Sequence, residues 1–177
     1  MQAITSVKRA ALAAAVTIFL SSAIFVRAAD KPDANGAAAF ARLKTLVGTW
    51  EATGSKSGTA TSTFESVASG SAIIERVKMP GESEMVTMYH LDGNRLVLTH
   101  YCTAGNQPHM QVESFDPASN QLAFNFAGGG NLANPNAGHM HHAVLTFGGA
   151  DDFQYAWTFQ KDGKAQFTEN LQYHRVK

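Results

Sequence analysis

The chain has 177 residues, 45% of them hydrophobic and 16% charged, with 14 basic against 14 acidic side chains. Three of the basic residues, Lys8, Arg9 and Arg27, fall in the first 28 positions with no acid among them, so the remainder holds 11 basic and 14 acidic residues. A net charge near −3 offers no basic field to nucleic acid or anionic lipid, and about 150 residues leave room for one domain around a single core.

Residues 1–28 have the form of a secretory signal peptide. The basic pair Lys8 and Arg9 precedes an apolar stretch over 10–25, and Val26-Arg27-Ala28 supplies a small-residue cleavage pattern. The alternative is an uncleaved anchor, but an apolar run of roughly 16 residues falls short of the about 20 that span a bilayer. The expected location is periplasmic or secreted, with no membrane anchor after cleavage. Cys102 is the only cysteine. An exported form therefore has no internal disulfide, and no cysteine follows the signal to carry a lipid.

Residues 29–39 are polar or small and predict a mobile lead-in. Phe40, Leu43, Leu46 and Val47 recur at helical spacing, which predicts a short amphipathic helix or turn before Gly48. From there onward the apolar period is two. Turn signals divide it into strands over 49–53, 59–67, 72–79, 84–91, 95–102, 110–115, 121–127, 139–147, 153–160 and 166–176. Asp92-Gly93 marks the clearest hairpin, and "FDPASN" and "KDGK" join two further pairs. Antiparallel strands with short connections predict an all-β domain over 40–177, an up-and-down barrel of about 8–10 strands behind a short helix, since closure removes exposed edges. One connection stands apart. The Gly/Asn-rich stretch 128–138, "GGGNLANPNAG", either lines a site or is a tolerated insertion.

"LVGTWEATG" over 46–54 resembles the opening of the calycin barrels, the lipocalins and fatty-acid-binding proteins, in which a Gly-x-Trp starts the first strand near the closed end. "NLQYHRV" sets Arg175 where those barrels often carry an arginine that packs over this tryptophan. The resemblance thus implies structural roles for Gly48, Trp50 and Arg175. "MYHLDGNRLVLTHYCTAGNQPHM" is further similar to uncharacterised exported bacterial members of this broad group. The resemblance covers most of the chain after residue 28 at the level of pattern, and it implies a fold far better than a function. Nitrobindin-type haem barrels are another comparison, and none of their haem-ligand motifs matches residue by residue.

All seven histidines lie after residue 28. A three-residue loop Asp92-Gly93-Asn94 pairs His90 with Leu96, Met88 with Leu98 and Val86 with His100, and paired residues share a face. That places Met88, Leu98 and His100 on the inner wall; a two-residue turn would change the assignment. Alternating strand directions collect His100, His109, His139 and His141 at one rim, and send His90 and His174 to the other. His139 and His141 share a face with Ala143 and Leu145, while His142 joins Met140 on the opposite face. With His100 as a third ligand, His139 and His141 form a zinc-like set with an open position; solvated or hydrogen-bonded histidines are the alternative.

In the last hairpin, pairing Lys161 with Ala165 aligns Trp157 with Glu169, Tyr155 with Leu171 and Phe153 with Tyr173. This aromatic face carries one carboxylate, Glu169, which inside a barrel needs a partner such as Arg76 or a raised pKa. Fatty-acid-binding proteins hold a ligand carboxylate with an internal Arg and Tyr, and by that resemblance Tyr173 is the nearest analogue. Gly-x-Ser-x-Gly, His-Glu-x-x-His, P-loop and Cys-x-x-Cys patterns do not occur, so no catalytic residue is assigned.

The expectation is an exported barrel that holds a small, largely apolar or amphipathic molecule. Its interior would be lined by Met88, Leu98, Phe124 and Phe126 on one side and by Trp157, Glu169 and Tyr173 on the other. His100 and Gln107 would select polar groups at the rim. A second reading is a metal- or haem-dependent protein, catalytic or gas-binding, with zinc or haem on His100, His139 and His141. A third is a structural module whose barrel is filled by side chains.

Overall fold

A computed structural model of the chain describes residues 34–54 and 58–176. The expected signal peptide and the first part of the lead-in lie outside these residues. Helix α1 spans Ala34–Lys44. Residues 34–39, read from sequence as lead-in, form its first turns. The alanines that look unstructured by hydropathy are strong helix formers, and Ala39, Phe40 and Leu43 are buried. Arg42 and Lys44 fall in the last turn, where positive charge meets the carbonyl end of the helix dipole.

Ten antiparallel strands follow: β1 Gly48–Thr53, β2 Thr59–Val67, β3 Ala72–Lys78, β4 Met85–Asp92, β5 Arg95–Tyr101, β6 Gln107–Asp116, β7 Gln121–Gly130, β8 His139–Phe147, β9 Asp152–Lys161 and β10 Lys164–Arg175. Each pairs with its neighbours in sequence, and β1 pairs with β10, so the sheet closes into a barrel. The inner face follows the period-two pattern, with Ile73 and Val77 on β3, Leu96 and Leu98 on β5, and Phe153, Tyr155 and Trp157 on β9 all buried.

The β4–β5 hairpin corrects the expected register. Asp92 pairs with Arg95 across the two residues Gly93 and Asn94, so Thr87 rather than Val86 faces His100, and Tyr89 rather than Met88 faces Leu98. One residue less in the turn moves every β4 side chain to the other face. Met85, Thr87 and Tyr89 are buried, whereas Met88 lies half-exposed and His90 exposed on the outside.

The β9–β10 hairpin keeps its expected pairing by a different route. Its turn is also two residues, Asp162 and Gly163, both at positive φ, and Lys161 pairs with Lys164. A bulge between Ala165 and Phe167 then restores one residue, so Phe159 faces Phe167, Trp157 faces Glu169 and Phe153 faces Tyr173.

The two barrel ends differ. At one end α1 packs beside β4, β5 and β6. There the Trp50 Nε1–H donates to the Leu46 carbonyl at 2.7 Å, and the Arg175 guanidinium lies 4.1 Å over the Trp50 ring. Arg175 also donates to the carbonyls of Val47 and Thr45, each at 3.0 Å. Among the described residues the other end is open, bounded by residues 79–84, 102–106 and 131–138 and by the β9–β10 turn.

Candidate functional site at the open end of the barrel

A cavity of about 170 Å³ enters the barrel from the open end. Its floor is set by Glu75, Thr87, His100 and Tyr173, and its apolar walls include Val77, Met85, Trp157 and Leu171. Met140, Phe159 and Phe167 stand nearer the mouth with Glu169 beside them. The volume is of the order of the roughly 150 Å³ apolar cavity that takes one benzene. A haem or a long acyl chain is far larger.

Glu75 is the residue that the sequence reading missed. It is 2% exposed, between the buried residues Ile73 and Val77 on the inner face of β3. The Ser62 hydroxyl donates to Oε1 at 3.2 Å, and the Tyr89 hydroxyl donates to Oε2 at 2.6 Å. Tyr89 and Tyr155 hydroxyl oxygens are 3.0 Å apart. Because the single Tyr89 proton goes to the carboxylate, Tyr155 is the donor in that contact. Strands β2, β3, β4 and β9 thus converge on one carboxylate. Burial pushes its pKa up to about 7, against the lowering effect of the Tyr89 and Ser62 hydrogen bonds. Burial likewise holds the Tyr89, Tyr155 and Tyr173 hydroxyls protonated, and the nearby Glu75 charge adds to the effect.

His100 stands in the β5 wall, 4% exposed, with its ring 4.8 Å from that of Trp157. Nδ1 lies 2.9 Å from the Thr87 hydroxyl. Burial lowers its pKa to about 4, so the imidazole is neutral at pH 7.

Two glycines shape the walls by what they lack. A Cβ on Gly138 would sit 2.5 Å from the Phe159 ring, which itself stacks on Phe167 at 5.2 Å. A Cβ on Gly54 would lie 2.6 Å from Glu169 Oε1. The bare backbone at these points lets an aromatic wall and a carboxylate approach.

Of the interior residues expected from sequence, His100, Trp157, Glu169 and Tyr173 line this cavity. Leu98 and Phe124 are buried in the core away from it, and Met88 points outward. Gln107 packs on the loop before it, with Nε2 3.4 Å from the Gly105 carbonyl. Phe126 sits instead among histidines. Arg76 pairs with Glu84 at 3.4 Å on the outside and is not the partner of Glu169.

The three proposed metal ligands are not brought together, and no group of three ligating side chains occurs among the described residues. The β7–β8 ladder ends at Asn125 and His142, and beyond it Phe126 packs on His139 at 4.2 Å and on His141 at 5.4 Å between ring centres. His139 Nδ1 lies 2.7 Å from the Ala137 carbonyl, which can only accept. With its Nδ1–H on that carbonyl, His139 offers its Nε2 lone pair to His141 Nδ1–H at 3.1 Å. A bulge at His141 sets Met140 opposite Phe159, and Met140 rather than either histidine reaches the cavity. The loop after β7 begins only at Asn131 and contributes no lining residue. It ties the rim together, with Gly138 accepting from the Asn106 side chain at 2.8 Å and Asn136 from the Asp162 amide at 3.0 Å.

No protein-family model matches the chain, and no curated protein sequence does. Among solved structures, the crystal structure of Rv2717c from M. tuberculosis is similar, with a TM-score of 0.52 at 15% identity, over 78% of this chain and 98% of that one. At that identity the likeness extends to the fold alone.

Proposed function

We propose that this chain is an exported barrel that binds one small, largely apolar molecule in its open-end cavity. The observation that carries this reading is the cavity itself. The barrel is close-packed from α1 to the level of Glu75, and then leaves a void walled by Trp157, Met85 and Leu171, with the buried polar side chains Glu75, Thr87, His100 and Glu169 at its floor and side. Interiors tolerate few such voids, and an apolar pocket with a few convergent polar groups is the usual form of a small-molecule site. Export rests on the basic, apolar and small-residue pattern of residues 1–28. The single-ring size of the cavity and the separation of His100 from His139 and His141 favour an organic molecule over haem or zinc.

Native mass spectrometry of protein recovered from the envelope and culture medium of its own host tests both halves. The expected species lacks residues 1–28 and carries one adduct on the order of 100–150 Da, the mass that a benzene-sized cavity accepts. Full-length protein in the cytosol overturns export. Absence of any adduct, together with no thermal shift against a set of single-ring compounds, overturns binding.

A further inference from the structure

The chemistry of the cavity wall narrows the ligand class, an inference that rests on the binding reading above. We infer that the molecule is a small amine taken up as its ammonium ion, its nitrogen recognised by Glu75 and its apolar body held against Trp157. Among the described lining residues, the ionisable side chains are Glu75, Glu82, Glu169, His100, Cys102 and Tyr173, and none is Lys or Arg. A ligand carboxylate would meet like charge at the floor once Glu75 is ionised, which argues against the fatty-acid mode that the barrel fold suggests.

A neutral hydrocarbon would fit the walls but leave the polar floor unanswered. A buried carboxylate is costly to the fold, and such departures from an apolar core concentrate where a protein does its chemistry. Each Glu75 oxygen already accepts one hydrogen bond, from Ser62 and from Tyr89, and retains a lone pair for another. His100 adds a second polar group to the wall, its Nδ1 held 2.9 Å from the Thr87 hydroxyl and its ring lining the cavity. Trp157 lines the cavity beside His100, where an indole ring attracts a cation, and Glu169 adds a second carboxylate toward the mouth.

Titration calorimetry of the mature protein at pH 8 with benzylamine, benzyl alcohol and benzoate separates the possibilities, since the three share a ring and differ in the recognised group. The expected result is benzylammonium about tenfold or more tighter than benzyl alcohol, with no detectable benzoate binding. Glu75→Gln should bring the amine to the affinity that the same variant shows for the alcohol, with an unchanged far-UV circular dichroism spectrum showing that the variant is folded. Glu169→Gln should lower the amine preference by a smaller factor. Equal affinity for amine and alcohol, or a preference that survives both substitutions, overturns the amine inference and leaves the binding reading standing. Binding by none of the three overturns both.

Discussion

The two ends of this barrel are built by the same ten strands with the same alternation, yet one is plugged and the other hollow. At the closed end no buried side-chain nitrogen or oxygen among the described residues lacks a hydrogen-bond partner. Trp50 is covered by the Arg175 guanidinium, meets Phe153 edge-on at 4.7 Å and donates its indole N–H to the Leu46 carbonyl, while Phe153 stacks on Tyr173 at 4.3 Å. At the open end the inward positions carry Glu75, Thr87, His100 and Glu169, side chains that bond to the wall rather than fill the centre. Alternation decides only that a side chain points inward; its size and polarity decide whether the interior closes.

Substitutions that exchange these characters test the comparison. The largest effect is expected from Trp50→Ala, which empties a fully packed end and should lower unfolding free energy by about 3–5 kcal/mol, read as a shift of the urea midpoint at unchanged slope. A loss under about 1 kcal/mol would show that the closed end is not the stabilising one.

Next comes the pH dependence of the open end. Glu75 keeps its proton up to about pH 7 in the native state against 4.5 as a free carboxyl, so its contribution is present below pH 4.5 and lost as pH rises through 7. His100 is the opposite case, with its native pKa near 4 against 6.5, so its contribution is present above pH 6.5 and lost as pH falls through 4. Each is of the order of 3 kcal/mol, and over the shared window the two slopes oppose. Relative to the native chain, Glu75→Gln should make stability rise more steeply with pH between about 4 and 6.5, and His100→Gln should make it fall between about 4.5 and 7. Parallel pH profiles for both variants and the native protein would remove the buried-titration picture.

The smallest effect is expected from Met140→Ala. Its side chain borders the void, so truncation should cost about 1 kcal/mol or less while widening the cavity enough for larger ring compounds to give a thermal shift. A loss comparable to that of Trp50→Ala would mean that the open end is as tightly built as the closed one.

Much of the fold was legible because period two is a repeated signal: all ten strands stand close to where alternation and turn residues placed them. The inner face was less legible, and the two hairpins show why. Both turns are one residue shorter than expected. In β9–β10 a bulge between Ala165 and Phe167 cancels the shift, and the expected pairs survive. In β4–β5 nothing cancels it, and Met88 exchanges places with Thr87 and Tyr89. A bulge at His141 likewise turned Met140 inward. Such one-residue events leave no periodic trace. Glu75 did leave one, since Ile73, Glu75, Val77 and Met79 form an alternating set with a single carboxylate.

The sequence by itself determined the strands, their order and the closed antiparallel barrel, because hydrophobic alternation and turn chemistry are local and repeat along the chain. Only the tertiary structure decided that Glu75, Tyr89 and Tyr155 share one hydrogen-bonded chain from three strands, that His100 stands apart from His139 and His141, and that a void remains between them. A cavity is what facing side chains fail to fill. It depends on register and bulges summed around the whole barrel, which no single segment encodes.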